Sequence, residues 1–307
     1  MRADSFRDFT CDMRRRRPFI VFNPTAGIPR ERFFAAVIAR LKHRGAIATV
    51  VEPANSKEVA ALVQSACGSH DMIVAAGGDG TIRQAAASMN FSGVPLGIIP
   101  LGTGNVFARE IGLRRDSVHV ADTLLDGEVT SVRGAYANGE PFYLMAGVGF
   151  DARVIDALNL PLKRILGRAA YAPAMLRVLR QPLEWLDVTI DRHLYQANWA
   201  IIANARHYGG NFIVAPEASI FRSGLKIVLV SAGNRPSFIW QLSKLARGAM
   251  VQPNNLAVRV IDGAEITVVR STSGTQPVPV QVDGDAFGSL PLHIDANGPQ
   301  LRLILPS

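Results

Sequence analysis

The stretch Gly77-Gly78-Asp79-Gly80-Thr81 sets three glycines around a carboxylate, directly after the apolar run Met72-Ile73-Val74-Ala75 and ahead of a helical pattern. Glycines let a backbone come close to a ligand, and a helix N-terminus offers N–H groups and a favourable dipole to phosphate. A carboxylate in such a cradle repels phosphate unless a divalent cation or a donor intervenes, so Asp79 reads as functional and as a candidate ligand of Mg2+. Two further polar, glycine-bearing loops follow apolar runs: Asn23-Pro24-Thr25-Ala26-Gly27, and Pro100-Leu101-Gly102-Thr103-Gly104-Asn105 with Asn105 in a helix-capping position. Each alone is an ordinary turn sequence, but three of them after three strands converge on one cleft. Late in the chain Asp283 and Asp285 flank Gly284; in an extended segment both face the same side, unless Gly284 makes a bulge.

The elements that must hold these loops are legible as two patterns. From 18 to about 127, short apolar runs alternate with helical spacing: strands at 19–22, 48–51, 72–75 and 96–99, helices carrying Phe33, Phe34, Val37, Ile38 and Leu41, then Val59, Leu62 and Val63 behind a Ser56 cap, then 82–89, 105–111 and 118–125. That alternation predicts a mostly parallel sheet covered by helices. From 129 onward the rhythm is β-rich, with strands at 129–137 and 142–146 around an Asn138-Gly139 turn, and strands at 185–190 and 199–203 around Asp191-Arg192. Short strands at 227–230, 256–260, 266–269 and 278–282 complete an expected antiparallel sandwich, and 301–305 fits either half. Residues 147–152 match Gly-x-Gly-x-x-Ala loosely, but in an antiparallel setting that argues against a dinucleotide site, and no Gly-x-x-x-x-Gly-Lys-Ser/Thr loop occurs.

Taken in order, Asn-Pro-x-Ala-Gly, Gly-Gly-Asp-Gly-Thr, Pro-x-Gly-Thr-x-Asn, the 147–152 run and Val282-Asp283-Gly284-Asp285 resemble the soluble diacylglycerol kinase catalytic-domain family, which includes bacterial lipid kinases and sphingosine kinases. The resemblance spans nearly the whole chain. It implies an α/β nucleotide-binding domain like that of phosphofructokinases and NAD kinases (14–128, plus about 294–307), an antiparallel β-sandwich domain for the lipid (129–293), and an active site between them. It also implies ATP and Mg2+ as cofactors, with Asn23, Pro24, Thr25, Ala26, Gly27, Gly77, Gly78, Asp79, Gly80, Thr81, Thr103 and Asn105 as the nucleotide-binding set. Asp285 matches the acid, usually Glu, taken as general base on the acceptor hydroxyl, with Asp79 and Asp283 as further catalytic candidates. Asp shortens the reach by one methylene. Several relatives bind a second, structural Mg2+ through acids after a Pro-x-Ala motif; here Pro216-Glu217-Ala218 is present but Ser223 and Lys226 stand where carboxylates are needed, so that site is expected to be absent.

The bulk composition fits. The 307 residues are 48% hydrophobic with a formal net charge of +8, which favours anionic partners such as nucleotide and an acidic membrane face. Cys11 and Cys67 are far apart and outside any metal spacing, as in a reducing compartment. We expect a cytoplasmic protein, peripheral at the membrane, taking part in phospholipid biosynthesis, with no nucleic-acid partner and with a homodimer left open. Residues 1–13 read as a disordered leader, and Arg14 to Arg17 as a solvated entry to the first strand. Residues 158–185 form a basic amphipathic stretch that suits an anionic bilayer or, equally, ordinary packing on the sandwich. The alternatives are a non-catalytic nucleotide- or lipid-binding protein, or an NAD kinase-like enzyme; the latter is disfavoured because no Asn-Glu pair occurs.

Overall fold

The computed structural model describes residues 15–25, 31–89, 92–159, 161–162, 166–252, 254–272 and 276–307. The first sheet contains β1 (Pro18–Phe22), β2 (Thr49–Val51), β3 (Met72–Gly77), β4 (Leu96–Pro100), β5 (Glu128–Arg133) and β20 (Gln300–Leu305), in the order β2-β1-β3-β4-β20-β5. Strands β1 to β4 and β20 run parallel, and β5 is antiparallel to β20. The helices of this half are α1 (Glu31–His43), α2 (Ser56–Ala66), α3 (Asp79–Ser88), α4 (Val106–Glu110) and α5 (Ser117–Asp126). All residues of β1, β3 and β4 are buried, as expected of strands covered on both faces. The chain leaves β1 for β2 on one side and reaches β3 on the other, so the loops after β1 and β3 open at a topological switch point, the usual ligand crevice of such sheets.

The second half is a sandwich with a helical layer outside it. One sheet, ordered β10-β9-β16-β19-β6-β7, is built from β6 (Ala135–Ala137), β7 (Glu140–Phe142), β9 (Leu186–Ile190), β10 (His193–Ala197), β16 (Glu265–Arg270) and β19 (Leu292–Asp295). The facing sheet, ordered β15-β14-β11-β8-β17-β18, holds β8 (Met145–Val148), β11 (Trp199–Ala203), β14 (Leu225–Val230), β15 (Val258–Gly263), β17 (Pro279–Val282) and β18 (Asp285–Ser289). A small hairpin pairs β12 (His207–Tyr208) with β13 (Phe212–Ile213). Strand alternation explains the layers. Ala200 and Ile202 of β11 enter the core between the sheets, while Trp199, Ile201 and Ala203 face a second core under α6 (Phe150–Asp156), α7 (Tyr171–Leu179) and α8 (Arg235–Ala246).

Several expectations are corrected. The strand read at 129–137 is two strands in two sheets, because the chain turns at Gly134, where a side chain would collide with the Phe142 carbonyl. Trp199–Ala203 does not pair across Asp191-Arg192; the hairpin partner of β9 is β10, with positive φ at both turn residues. Asn55, not Ser56, caps α2, accepting from Glu58 N at 3.0 Å while Glu58 accepts from Ala54 N at 2.7 Å. Arg15 is not simply solvated: its guanidinium donates to the Leu124 and Gly127 carbonyls at the end of α5.

Strand β20 lies between β4 and β5, and Leu303 within it is fully buried. Leu303→Ala should therefore cost about 2–5 kcal/mol in urea unfolding; a loss below about 0.5 kcal/mol would contradict this placement of β20.

Candidate active site

On the parallel-sheet side the three loops are laced to one another. Asn23 donates from Nδ2 to Thr81 Oγ1 at 3.1 Å and accepts from Thr25 N and Thr25 Oγ1 at 3.0 and 2.8 Å. The Gly77 carbonyl accepts from Leu101 N and Gly102 N at 2.9 and 3.1 Å. Gly78 and Gly102 meet backbone to backbone, so a Cβ on Gly102 would fall 2.5 Å from the Gly78 Cα. Asp79 accepts from Val106 N and Phe107 N at 3.1 and 2.9 Å. It therefore caps α4, a task expected of Asn105; that residue instead takes a left-handed conformation, φ 48°, and its side chain makes no capping bond. Burial raises the Asp79 carboxyl above the ordinary carboxylate range, the two N–H donors oppose this, and nearby Asp285 adds to it. Pro24 and Thr103 lie in the same loops, whereas Ala26 and Gly27 fall outside the described residues.

The sandwich answers with a two-residue hairpin turn. Asp283 and Gly284 have φ of 51° and 87°, as a primed turn requires, and Val282 pairs with Asp285 across it. Asp283 does not share a face with Asp285. Its buried carboxylate accepts from three successive amides, Tyr143 N at 3.1 Å, Leu144 N at 2.8 Å and Met145 N at 3.0 Å, and burial pushes it up to about 6 against those donors. Gln281 holds the turn from the other side: its Oε1 accepts from Gly284 N at 2.9 Å, and its Nε2 donates to Asp151 Oδ2 at 2.9 Å. Asp151, at the start of α6, also accepts from Ala152 N at 2.8 Å, and burial pushes it up to about 6. Gly147 leaves the space for this pair, since a Cβ there would overlap both side chains.

Thus fixed, Asp285 extends across to the first domain. Its half-exposed carboxylate lies against Gly80, where a Cβ would collide with it, and 3.7 Å from the guanidinium of Arg83. Sequence reasoning missed Arg83, although it stands one helical turn after Asp79 on the same face of α3. It also missed Glu110 of α4, which is buried and binds Arg206 Nε at 3.2 Å and His207 Nδ1 at 2.7 Å, tying α4 to β12. His207, read as structural, has this partner. Lys226, at the expected gap in the second metal site, sets its ammonium 2.9 Å from Glu217 and 2.6 Å from Asp262.

Residues 17–136 match the diacylglycerol kinase catalytic domain, and residues 145–305 match the YegS C-terminal NAD kinase beta sandwich-like domain. The chain belongs to the diacylglycerol kinase family of lipid kinases. A diacylglycerol kinase of Mycobacterium tuberculosis H37Rv is 30% identical over 88% of this chain and 88% of its own length, and that of Bacillus subtilis 168 is 28% identical over 90% and 92%. A diacylglycerol kinase structure from Bacillus anthracis Sterne superposes with a TM-score of 0.70 at 17% identity, covering 95% of this chain and 97% of that one, so the likeness there is one of fold. The parallel sheet and the sandwich face each other where Asp285 meets Gly80 and Arg83.

Asp283→Ala strands three buried amides, each costing about 1–3 kcal/mol, and should abolish cooperative unfolding near neutral pH or lower its midpoint sharply; a midpoint equal to wild type would remove the clamp. For Asp151 the folded value of about 6 lies above the ordinary carboxylate value, so the stability it contributes is lost as pH rises through about 6. Asp151→Asn has no such term. In urea titrations it should gain on wild type as pH rises from about 4 to about 6, by about 1.4 kcal/mol per unit of pKa difference, and the gap should then stay level at higher pH; a pH-independent gap across that range would refute the assignment.

Proposed function

We propose that this protein is an ATP-dependent kinase that transfers the γ-phosphoryl group to a hydroxyl of diacylglycerol or a closely related lipid alcohol, within phospholipid biosynthesis. The observation that carries the reading is the approach of Asp285, a sandwich residue, to the Gly80 backbone of the glycine-rich loop. Phosphates seat on the first-turn N–H groups of α3, which have no carbonyl partner within the helix, with Asn23, Thr25, Thr81 and Thr103 around them. Asp285 is then the general base. As the acceptor oxygen bonds to the γ-phosphorus, the bond to the bridging oxygen breaks, its electron pair leaves on ADP, and the hydroxyl proton passes to Asp285. Gly80 answers the short reach of Asp, since it carries no side chain to hold the carboxylate off. Arg83 balances the acid from behind. Asp79 and Asp283 act by position, the first by joining two phosphate loops and the second by holding the turn.

Mg2+ fits this donor set in one manner. Among the described residues no group of three or more His, Cys, Asp or Glu forms a cage, but Mg2+ is commonly held by one or two carboxylates plus substrate phosphates. Asp79 and Asp285 supply two, and their repulsion, which helps to raise Asp79, is relieved by a cation. Bound there, it would neutralise phosphate charge. No helix among the described residues is long and apolar enough to cross a membrane, so a bilayer-borne acceptor would be met at the membrane surface by a protein that is otherwise cytoplasmic.

Phosphate transfer from labelled Mg·ATP to a panel of lipid alcohols in mixed micelles tests the reading. Wild type should label diacylglycerol or a near relative, and Asp285→Ala should lose on the order of 10²- to 10⁴-fold in kcat. Gly80→Ala is the sharper variant: alanine ordinarily favours a helix by about 1 kcal/mol, yet here it displaces Asp285, so kcat should fall by on the order of 100-fold with no loss of stability. ATP binding without any labelled lipid would favour a binding protein, and labelled NAD would favour the NAD kinase-like alternative.

A further inference from the structure

The helical layer of the sandwich leaves an apolar face without a partner. Helix α8 turns Phe238, Gln241 and Leu245 inward and Ile239 and Trp240 outward, 48% and 54% exposed. Its neighbour β13 exposes Phe212 and Ile213, and α7 exposes Leu176. Leu256 is 95% exposed on a segment tied to α8 by Asn255 Nδ2, which donates to Gln241 Oε1 at 2.7 Å. Single exposed apolar side chains are commonplace, whereas a group of them on one layer marks a contact surface.

Charge identifies what would cover it. Residues 157–183 and 231–261, which include α7 and α8, together carry nine Lys and Arg and no Asp or Glu, in a chain whose whole excess is eight. Of these, Arg177, Arg180, Arg235, Lys244, Arg247 and Arg259 are among the described residues, and no acid within the two segments offsets them. Arg247 lies over the Trp240 ring, 5.0 Å from its centroid, an aromatic and a cation side by side as at the boundary between lipid tails and headgroups. The layer also adjoins the site. Helix α6 packs on β17 and β18, the strand that starts at Asp285, and β12 is bound through His207 to Glu110 of α4.

We propose that the outer surface of α7, α8 and β13 seats on an anionic lipid bilayer, inserting Ile239, Trp240 and the Phe212-Ile213 tip while Arg177, Lys244 and Arg247 meet headgroups. The proposal rests on the lipid-kinase reading for its purpose and names the face that presents the acceptor to Asp285. Insertion is shallow, as for other interfacial helices, and the basic residues make it salt-sensitive.

The test is co-sedimentation with vesicles of phosphatidylcholine alone and of phosphatidylcholine mixed with phosphatidylglycerol, with Trp240 emission followed in a variant whose Trp185 is replaced by Phe. Wild type should bind the anionic vesicles, with a blue shift, and release in high salt. Ile239→Ser/Trp240→Ser and Lys244→Glu/Arg247→Glu should each weaken binding by on the order of 10-fold or more, while keeping wild-type phosphorylation of a short-chain diacylglycerol dispersed without vesicles. Absent binding by wild type, or variants that bind as wild type does, overturns the proposal. So does a change from dimer to monomer in the first variant with vesicle binding intact, which would make the face a contact between two copies. Should vesicle binding behave as expected while no lipid is phosphorylated, the docking face stands and the kinase reading falls.

Discussion

A carboxylate buried beneath a sheet edge must be surrounded by donors, and Asp283 meets that demand with the amides of three consecutive residues, 143 to 145. Those amides belong to the two residues joining β7 to β8 and to the first residue of β8, so the bonds fasten the β17–β18 turn to the centre of the sandwich. Left-handed conformations at Asp283 and Gly284 are the local cost. The return is that the next residue but one, Asp285, leaves the turn in a single direction. Gln281 and Asp151 brace the same turn from α6, so strand, helix and turn converge on the placement of one half-exposed acid.

The opposite wall is built on the same plan with fewer side chains. There Asp79 binds the N-terminus of α4, which fixes the third glycine loop against the second, and Gly78 and Gly102 permit an approach that any side chain would prevent. Helix α4 also carries Glu110, whose buried carboxylate reaches Arg206 and His207 across 96 and 97 residues of sequence. The two walls are therefore connected through the very helix that the glycine-rich loop caps.

How much of this was legible varies with the range of the interaction. The three loops could be found because each follows an apolar strand and carries its own glycines, and Asp285 because it follows an Asp-Gly pair. The same pair is a strong hairpin signal, so the turn itself was readable, but treating it as extended put Asp283 on the wrong side. Asn105 looked like a cap because capping is normally local; the actual cap comes from Asp79, 27 residues earlier than Val106. Glu110 with His207, and Arg83 with Asp285, are contacts between distant segments for which no local period exists. The division of 129–137 between two sheets escaped notice because alternation continues through Gly134, while the close approaches there, Gly134 to the Phe142 carbonyl and Gly298 to Ala135, join segments with no local period.

Strand β20 bears on how the chain is made. It occupies the middle of the first sheet between β4 and β5, yet it follows the whole sandwich in sequence. During synthesis the segments that will become β4 and β5 emerge early and have no common neighbour until residues 300–305 leave the ribosome. The nascent parallel-sheet domain thus presents two open strand edges while the sandwich, whose strands lie between 135 and 295, can already close. Vectorial folding of this protein is consequently inverted: the half translated first is the half completed last.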